Sequence, residues 1–557
     1  MIRHHSPFFV FLDTISAMKI TLAQLNPCIG DLESNAKKIL ASLKNSRDSD
    51  LLVTGELALC GYPPLDLIDW ETFISHVQQC NDYLISQTSD TALLFGSLYR
   101  DKVGQLRNTA ILAHQGKEIG RINKKLLPNY NVFDERRYFT PADSIQLIPW
   151  KGHQLGISIC EDAWTNHDIW PDCPYQEDII TQQVAMGATH LINLSASPYS
   201  QGKPQIRFDL FKNHAQQHKL PLWHVNQVGA NDELIFDGGS LAFDADGELS
   251  ARATLFEESL VSATISKPWP ERIEEIYKAL TLGIADYFHK SGFSKAVIGL
   301  SGGIDSALAL CLAAEALGNE NVTAVAMPGP YSSNHSLEDA KQLAEALKIT
   351  LEIFPINSLF DAMEHSFSDS FSHTLSGIAR QNAQARMRGQ VLMNLSNTIN
   401  ALVITTGNKS ELAVGYCTLY GDMCGALAAI GDCPKKLVYD LCSHIKTTRY
   451  STFPESILNK PPSAELAPDQ KDQDTLPPYD ALDRLVCDYI EHEKPLAELQ
   501  SDFSETEVKH WLKVIDVNEH KRRQAPPVLR ISSRAFGLGR RRPLTQGYNP
   551  SWDVPSK

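Results

Sequence analysis

The sequence predicts an α/β protein of two large units, a layered unit with hairpins followed by a doubly wound parallel sheet. Three observations carry that expectation. Over residues 18–265 short β-rich runs alternate with helix-length amphipathic stretches, and some runs follow one another directly, as hairpin strands do. Beyond residue 290 the order becomes a regular strand–helix–strand–helix–strand. Between them, Lys267-Pro268-Trp269-Pro270 places two prolines in four residues, as a linker would. At roughly 150 residues per domain the chain of 557 would divide into three or four units, but two large α/β units accommodate it as well.

Each element has its own warrant. Residues 1–17 hold an apolar run from Pro7 to Leu12 that Asp13 ends, too short and wrongly flanked for a signal peptide, so an unstructured extension is expected. Strands are expected at residues 19–24, 51–54, 92–97, 108–114, 156–160, 190–194, 222–226 and 240–244, with helices at 32–45 and 71–86. The first unit then spans 18–265 and the second 266–557. The second opens with a helix over 271–290 and a strand over 295–300, whose sequence KAVIGL barely alternates, as when both faces are buried. A Gly-rich turn, a helix to residue 317 and a strand over 322–327 follow. Ser336 and Asp339 form a capping-box-like pair at the start of the next helix, which places Ala340, Leu343, Ala344 and Leu347 on one face. Strands at 351–356 and 401–405 complete the sheet. Five prolines in residues 460–478 mark a loop or lid, and the last 40 residues are expected to return to helix and end in a basic tail.

Composition narrows the function classes. Apolar residues at 43% and charged residues at 21% are ordinary globular usage. A net charge of −15 opposes a nucleic-acid backbone, so the basic run from Lys521 to Arg542 is read as a solvated face, a closure over a nucleotide, or a subunit contact. Eleven cysteines without a CxxC pair suit free thiols in a reducing compartment. No run reaches the ~18–20 apolar residues of a membrane span. The expectation is a cytoplasmic homo-oligomer that binds neither nucleic acid nor membrane.

Ser301-Gly302-Gly303-Ile304-Asp305-Ser306 lies between a strand ending at Gly299 and Leu300 and a helix. Two glycines let successive N–H groups converge on an anion, and the helix N-terminus adds its positive dipole end. The pattern is neither GxxxxGK[ST] nor GxGxxG. SGGIDSA resembles the pyrophosphatase loop of ATP-dependent adenylating amidotransferases. QARMRG (384–389), TTGNKSE (405–411), AVGY (413–416), LYGDM (419–423), KPPSAEL (460–466), LPPYDALD (476–483) and KRRQAPP (521–527) resemble the ammonia-incorporating domain of the NAD synthetase family. That resemblance, over residues 270–545, implies a Rossmann-like adenine-nucleotide domain. It implies ATP contacts at Gly299, Leu300, Ser301, Gly302, Gly303, Ile304, Asp305, Ser306 and Thr406, and Mg²⁺ held by Asp305 and Glu411. It further implies deamido-NAD contacts at Arg386, Glu411, Asp422 and Lys435. Arg386 and Arg388 project about 200° apart on a helix, so only one can face the ligand fully. Gln381 stands where the family has an acid, and Lys436 where it has a threonine.

A second constellation lies in the first half. Gly156–Trp164 is an apolar run ending in Cys160, with Glu161 and Asp162 directly after it. Alone, such a cysteine is more often a buried small hydrophobe than a nucleophile. Glu56 in TGELA, Lys124 in KKLLPNY, FDERRYF (133–139), NLSASPY (193–199) and NQVGANDE (226–233) alter that weighing. Over about residues 19–262 they resemble the nitrilase/amidase superfamily, in particular the glutaminase domain fused to NAD synthetases. The resemblance implies a four-layer α-β-β-α sandwich with Cys160 as nucleophile, Glu56 as base then acid, and Lys124 as oxyanion stabiliser. Lys125 competes for that last role, and the family's KxxLP spacing selects Lys124. The same resemblance implies glutamine contacts at Tyr130, Glu161, Trp164, Ser197 and Lys203. Together the two halves imply a ligase that draws ammonia from glutamine and uses ATP–Mg²⁺ to amidate deamido-NAD, with NAD as product. Another ATP-pyrophosphatase amidotransferase, or an adenylating tRNA-modification enzyme, is the alternative.

Overall fold

A computed structural model describes residues 18–171, 173–499 and 503–548. The extension expected at 1–17 lies outside the described residues. In chain order the first unit begins β1 (Ile20–Gln24), α1 (Leu32–Asn45), β2 (Leu51–Thr54), α2 (Glu71–Ser86), β3 (Ala92–Arg100), β4 (Leu106–His114), β5 (Lys117–Asn123) and α3 (Glu135–Tyr138). It continues β6 (Ile148–Trp150), β7 (His153–Ile159), α4 (Ile179–Ala185), β8 (His190–Ser195), α5 (Lys203–His218) and β9 (Leu222–Asn226). It ends with β10 (Val228–Asn231), β11 (Leu234–Asp237), β12 (Leu241–Phe243), β13 (Leu249–Arg252) and β14 (Ser259–Val261).

These strands form two six-stranded mixed sheets, ordered β14-β1-β2-β3-β4-β5 and β13-β12-β9-β8-β7-β6. Each has parallel pairs at its centre (β1/β2/β3 and β7/β8/β9) and antiparallel pairs outside them. Ile20, Leu22, Val53, Leu94 and Leu112 of the first sheet share one core with Leu155, Ile157, Ile192, Leu194 and Val225 of the second. The outer faces are covered by helices, α1 and α2 on one side (Ile39, Val77, Leu84 on Leu52, Leu93, Phe95) and α4 and α5 on the other (Ile180, Phe211, Ala215 on Leu191, Leu222). The result is the expected four-layer α-β-β-α sandwich. Strand β5 was not expected, because its sequence KEIGRIN reads as a polar loop; it is an edge strand, where charged side chains face water. The β10–β11 hairpin was also unforeseen, since Asp232 turns it in a left-handed conformation (φ 52°) without glycine.

The second unit runs α6 (Arg272–Lys290), β15 (Ala296–Gly299), α7 (Ile304–Leu317), β16 (Val322–Ala326), α8 (Asn334–Leu347), β17 (Thr350–Ile353), α9 (Asn357–Phe371), α10 (Gly377–Ile399) and β18 (Leu402–Ile404). It continues with α11 (Lys409–Val414), α12 (Lys435–Thr448), α13 (Glu455–Asn459), α14 (Tyr479–Val486), α15 (Glu505–Val517) and α16 (Glu519–Arg522). Its sheet is wholly parallel in the order β17-β16-β15-β18. Chain order therefore reverses beside β15, and ligands of such sheets lie beyond the strand carboxyl ends at that switch point. Helices α6, α7, α8 and α12 cover one face and α10 the other.

Two expectations need correction. Helix α8 starts at Asn334, capped by Ser333, whose hydroxyl accepts from Ser336 N at 3.1 Å; Ser336 sits inside the first turn. Among the described residues the chain does not return to helix beyond α16, because Pro526 and Pro527 stop it, and residues 523–548 run as an irregular strap.

Candidate functional site

Three strand ends of the first unit converge. Glu56 lies just past β2, Lys124 directly past β5, and Cys160 directly past β7. The Glu56 turn lies flat on β3 because residue 96 is glycine: a Cβ there would sit 2.3 Å from Gly55 O and 2.5 Å from Leu57 N. Cys160 is held at φ 44°, a left-handed conformation rare for a residue with a side chain, at a sharp strand-to-helix turn. Asp162 braces that turn, accepting from Ile159 N at 3.0 Å through one oxygen and from Lys125 N and Leu126 N at 3.0 and 2.7 Å through the other. One carboxylate thus registers the cysteine turn against the lysine loop.

The buried Lys124 ammonium donates to Glu56 Oε1 and to Glu135 Oε1, both at 2.7 Å. Glu56 also accepts from Asn108 Nδ2 at 2.7 Å and from Ala196 N at 3.1 Å, and Glu135 accepts from Tyr62 OH at 2.9 Å. Burial alone would discharge the lysine, but Glu135 and Glu56 outweigh it and raise the Lys124 pKa well above the usual value. Burial raises Glu135 to about 7. Burial and then the Glu56 charge push the Cys160 thiol well up. The resting cysteine is therefore a protonated thiol that needs a base within reach, not a preformed thiolate.

Each residue expected to contact glutamine has a neighbouring partner. Tyr130 OH donates to Glu161 Oε1 at 2.9 Å, Lys203 Nζ stands 5.4 Å over the Trp164 ring, and Ser197 N donates to Asn226 Oδ1 at 2.8 Å. Lys125 points away and donates to Ala142 O at 3.2 Å, which leaves Lys124 as the inward lysine.

In the second unit a cavity of about 390 Å³ opens at the switch point between β15 and β18. Ser301, Gly303, Ile304, Asp305 and Ser306 line it with Gly299 and Leu300 from one strand end, and Thr406 from the other. Gly302 turns the loop at φ 77°, where a Cβ would meet Ser336 O at 2.1 Å. The Ser301 and Ser306 hydroxyls bond each other at 3.1 Å and line the cavity. Across it, Lys435 Nζ donates to Asp305 Oδ2 at 2.5 Å and lies 3.4 Å from Glu411 Oε1. Asn408 caps α11 against Glu411 N at 3.0 Å and donates to Asp305 Oδ1 at 2.8 Å, tying the loop to the Glu411 helix. Burial, then the Asp305 charge, raises Glu411 to about 8. Asp305 and Glu411 face one small space that the Lys435 ammonium shares, and such a carboxylate pair fits Mg²⁺, which is commonly held by one or two carboxylates plus phosphate oxygens.

Asp422 lines the cavity, accepts from Thr418 N at 2.7 Å and is raised by burial. Of the two arginines, Arg388 lies on the cavity wall, where burial lowers its pKa to about 10. Arg386 is exposed, and its Nε donates to Leu419 O at 3.1 Å. Gln381 lines the cavity, whereas Lys436 faces out and pairs with Asp440 at 3.4 Å.

A family model described as NAD synthase matches residues 276–525, and one described as carbon-nitrogen hydrolase matches residues 19–270. The glutamine-dependent NAD(+) synthetase of Synechocystis sp. is 43% identical over 554 residues, covering 95% of this chain and 99% of that protein. The enzyme of that name from Acinetobacter baylyi is 38% identical over 551 residues, covering 96% and 100%. This chain belongs to the glutamine-dependent NAD(+) synthetase family. The solved structure of a glutamine-dependent NAD(+) synthetase from Acinetobacter baumannii in complex with ADP superposes with a TM-score of 0.75 at 35% identity, covering 95% of this chain and 98% of that one. One from Cytophaga hutchinsonii superposes at 0.81 with 23% identity over 95% and 98%, which bears on the fold.

For this member of the synthetase family, sequence reasoning passed over three residues. Glu135 lies in the FDERRYF run, and a second acid able to share one buried lysine was its only signal. Lys460, the first residue of KPPSAEL, donates to Gly302 O at 3.0 Å and Ser336 Oγ at 2.9 Å, against the phosphate loop. Asn408, inside TTGNKSE, is the polar residue expected before an apolar helix, and its contact with Asp305 is non-local.

Proposed function

We propose that the protein hydrolyses L-glutamine at Cys160 and uses the ammonia, with ATP, to amidate deamido-NAD to NAD, releasing AMP and pyrophosphate. The observation that carries this reading is the pairing of two sites in one chain. One is an ammonium shared between two buried carboxylates beside a strained cysteine; the other is a glycine loop at the switch point of a parallel sheet.

In the first site Glu56 takes the Cys160 proton as the sulfur attacks the glutamine side-chain amide carbon. Lys124, kept cationic by Glu56 and Glu135, stabilises the oxyanion that forms. The C–N bond breaks as Glu56 returns the proton to the departing ammonia, and water, activated by the same carboxylate, then releases glutamate from the thioester. Tyr130, Glu161, Trp164, Ser197 and Lys203 hold the substrate. In the second site the nicotinate carboxylate attacks the ATP α-phosphorus and pyrophosphate leaves. Ammonia then displaces AMP from the acyl-adenylate. Ser301, Gly302, Gly303, Ser306 and the dipole of α7 bind the phosphates, with Gly299, Leu300, Ile304 and Thr406 around the nucleotide. Asp305 and Glu411 would hold Mg²⁺, which when bound neutralises phosphate charge. Arg386, Glu411, Asp422 and Lys435 receive the dinucleotide, with Arg388 on the cavity wall beside them. We place the division between the units at 265/266, and the reaction in a reducing cytoplasm.

Exposed Leu359, Met363 and Phe371 of α9, with Phe354 just before it, support a homo-oligomer. Sedimentation at micromolar concentration should give more than one chain, and Leu359→Glu with Met363→Glu should return a monomer.

The test is Cys160→Ala in an assay of NAD formation from deamido-NAD and ATP. Glutamine-driven synthesis should vanish and ammonium-driven synthesis should persist; loss of both defeats the two-site reading.

A further inference from the structure

The strap of residues 530–533 belongs to the second unit by chain order but is seated in the first. Arg530 N donates to Glu233 O at 2.9 Å, Gln201 N to Ile531 O at 2.8 Å, and Asn131 Nδ2 to Ser533 O at 2.8 Å. Asn131 adjoins Tyr130 and Gln201 lies two residues before Lys203, so two of these anchors flank the segments that line the glutamine site, and the third, Glu233, lies in the β10–β11 turn. From the other side Asp432 fixes the strap, accepting Ile531 N at 2.8 Å, Ser532 N at 2.7 Å and Ser532 Oγ at 2.9 Å.

The strap thereby buries the Arg530 side chain, which is only 8% exposed. Its Nε and Nη2 donate to the carbonyls of Ser532 and Ser533 at 3.1 and 2.6 Å, and its Nη1 has no hydrogen-bond partner among the described residues. Neither Arg530 nor Lys203 has a carboxylate within 4.0 Å among the described residues. Burial and the Arg530 guanidinium lower the Lys203 pKa to about 8, so the two cations feel each other. Lys203 in turn lies within electrostatic reach of Cys160 and Glu161. Glu161 acts on Lys203, and Asp432 and Glu233 act on Arg530, but none is in direct contact, so two neighbouring cations removed from water still gain when an anion joins them directly. Free glutamine carries such an anion, its α-carboxylate, and a plain aliphatic amide does not.

We propose that Arg530, delivered by the synthetase half, is a specificity-determining residue of the glutamine site. It shares with Lys203 the seat for the substrate's α-carboxylate. The inference rests on the glutaminase reading above and deepens it: the first unit alone lacks one of the two cations that select free glutamine. It also makes the strap a checkpoint, since displacing residues 530–533 removes that cation.

The experiment uses the full chain with Arg530→Met and Arg530→Lys, measuring ammonia release from L-glutamine and from 4-aminobutanamide, which is glutamine without its α-carboxylate. Removing one member of a buried charge pair predicts a rise of about 30-fold or more in KM for glutamine in Arg530→Met. Turnover of 4-aminobutanamide should stay within about twofold of the parent, and Arg530→Lys should recover part of the glutamine KM. Ammonium-driven NAD formation close to the parent value reports that the variant is folded. An unchanged glutamine KM, or an equal loss on both amides, overturns the proposal. If the parent protein releases no ammonia from glutamine, the glutaminase reading itself fails, which is a separate result.

Discussion

At the scale of single residues, the first site is governed by a charge count that sequence spacing could not reveal. The order Glu56, Lys124, Cys160 is legible in the chain because each lies at a strand end in a recognisable run. Glu135 is not, since its role depends on sharing the Lys124 ammonium with Glu56, a contact between distant segments. With two carboxylates on one ammonium, the group next to the thiol stays cationic through catalysis. Glu135→Gln keeps the size and the Tyr62 contact but removes one of the two charges holding Lys124 protonated. Its kcat for glutamine hydrolysis should fall by about tenfold to a thousandfold, while ammonium-driven synthesis is unaltered. Steady-state kinetics with both nitrogen sources checks this, and an unchanged glutaminase kcat counts against the shared-ammonium account. The arginine pair shows a different limit. Helical geometry dictates that Arg386 and Arg388 diverge, but which one meets the cavity is decided by how α10 lies on β15 and β18, a packing fact absent from the local pattern.

At the scale of elements, the phosphate loop was the most legible part because its requirements are local. A strand, a glycine turn and a helix N-terminus are all written within residues 295–306. The turn tolerates no side chain at Gly302, whose φ of 77° and approach to Ser336 O both exclude one. Gly302→Ala should therefore lower ATP-dependent pyrophosphate release by at least about a hundredfold, because the whole loop must shift. Ammonia release from glutamine should survive, so a coupled pyrophosphate assay run beside an ammonia assay separates loop damage from general unfolding. The C-terminal strap was illegible for the opposite reason. Pro526 and Pro527 end the helix locally, yet where the strap is seated depends on Asp432, Gln201 and Glu233, which satisfy its backbone from elsewhere in the molecule. The edge strand β5 lacks a legible pattern for a different reason: only Ile122 of its seven residues is buried, so no apolar alternation marks it.

At the scale of the whole molecule, the two units read from the sequence are joined more closely than a proline linker suggests. Helix α6 of the second unit lies on the β10–β11 hairpin of the first, and Ala230, Ile235, Leu255 and Phe256 share a core with Ile276, Leu280 and Ile284. Asn26 Nδ2 donates to Asp286 Oδ2 at 2.8 Å, and Lys290 Nζ donates to Asn26 Oδ1 at 2.7 Å and Ala230 O at 2.8 Å. A continuous core predicts one cooperative thermal transition rather than two, which calorimetry can check. Within that interface Tyr199 OH donates to Glu275 Oε1 at 2.9 Å, and burial raises the Glu275 pKa from 4.5 to about 7. A carboxyl that holds its proton more tightly folded than unfolded takes up a proton on folding between those values. Its contribution is complete below about pH 4.5 and is lost as pH rises through 7. Glu275→Gln mimics the protonated group at every pH and so removes this dependence. Relative to Glu275→Gln, the parent protein should lose several degrees of Tm between pH 5 and pH 8, with the difference levelling off above 8. A Tm difference that stays flat over that range would mean that Glu275 is ionised across it. The interface would then carry a buried charge rather than a shared proton.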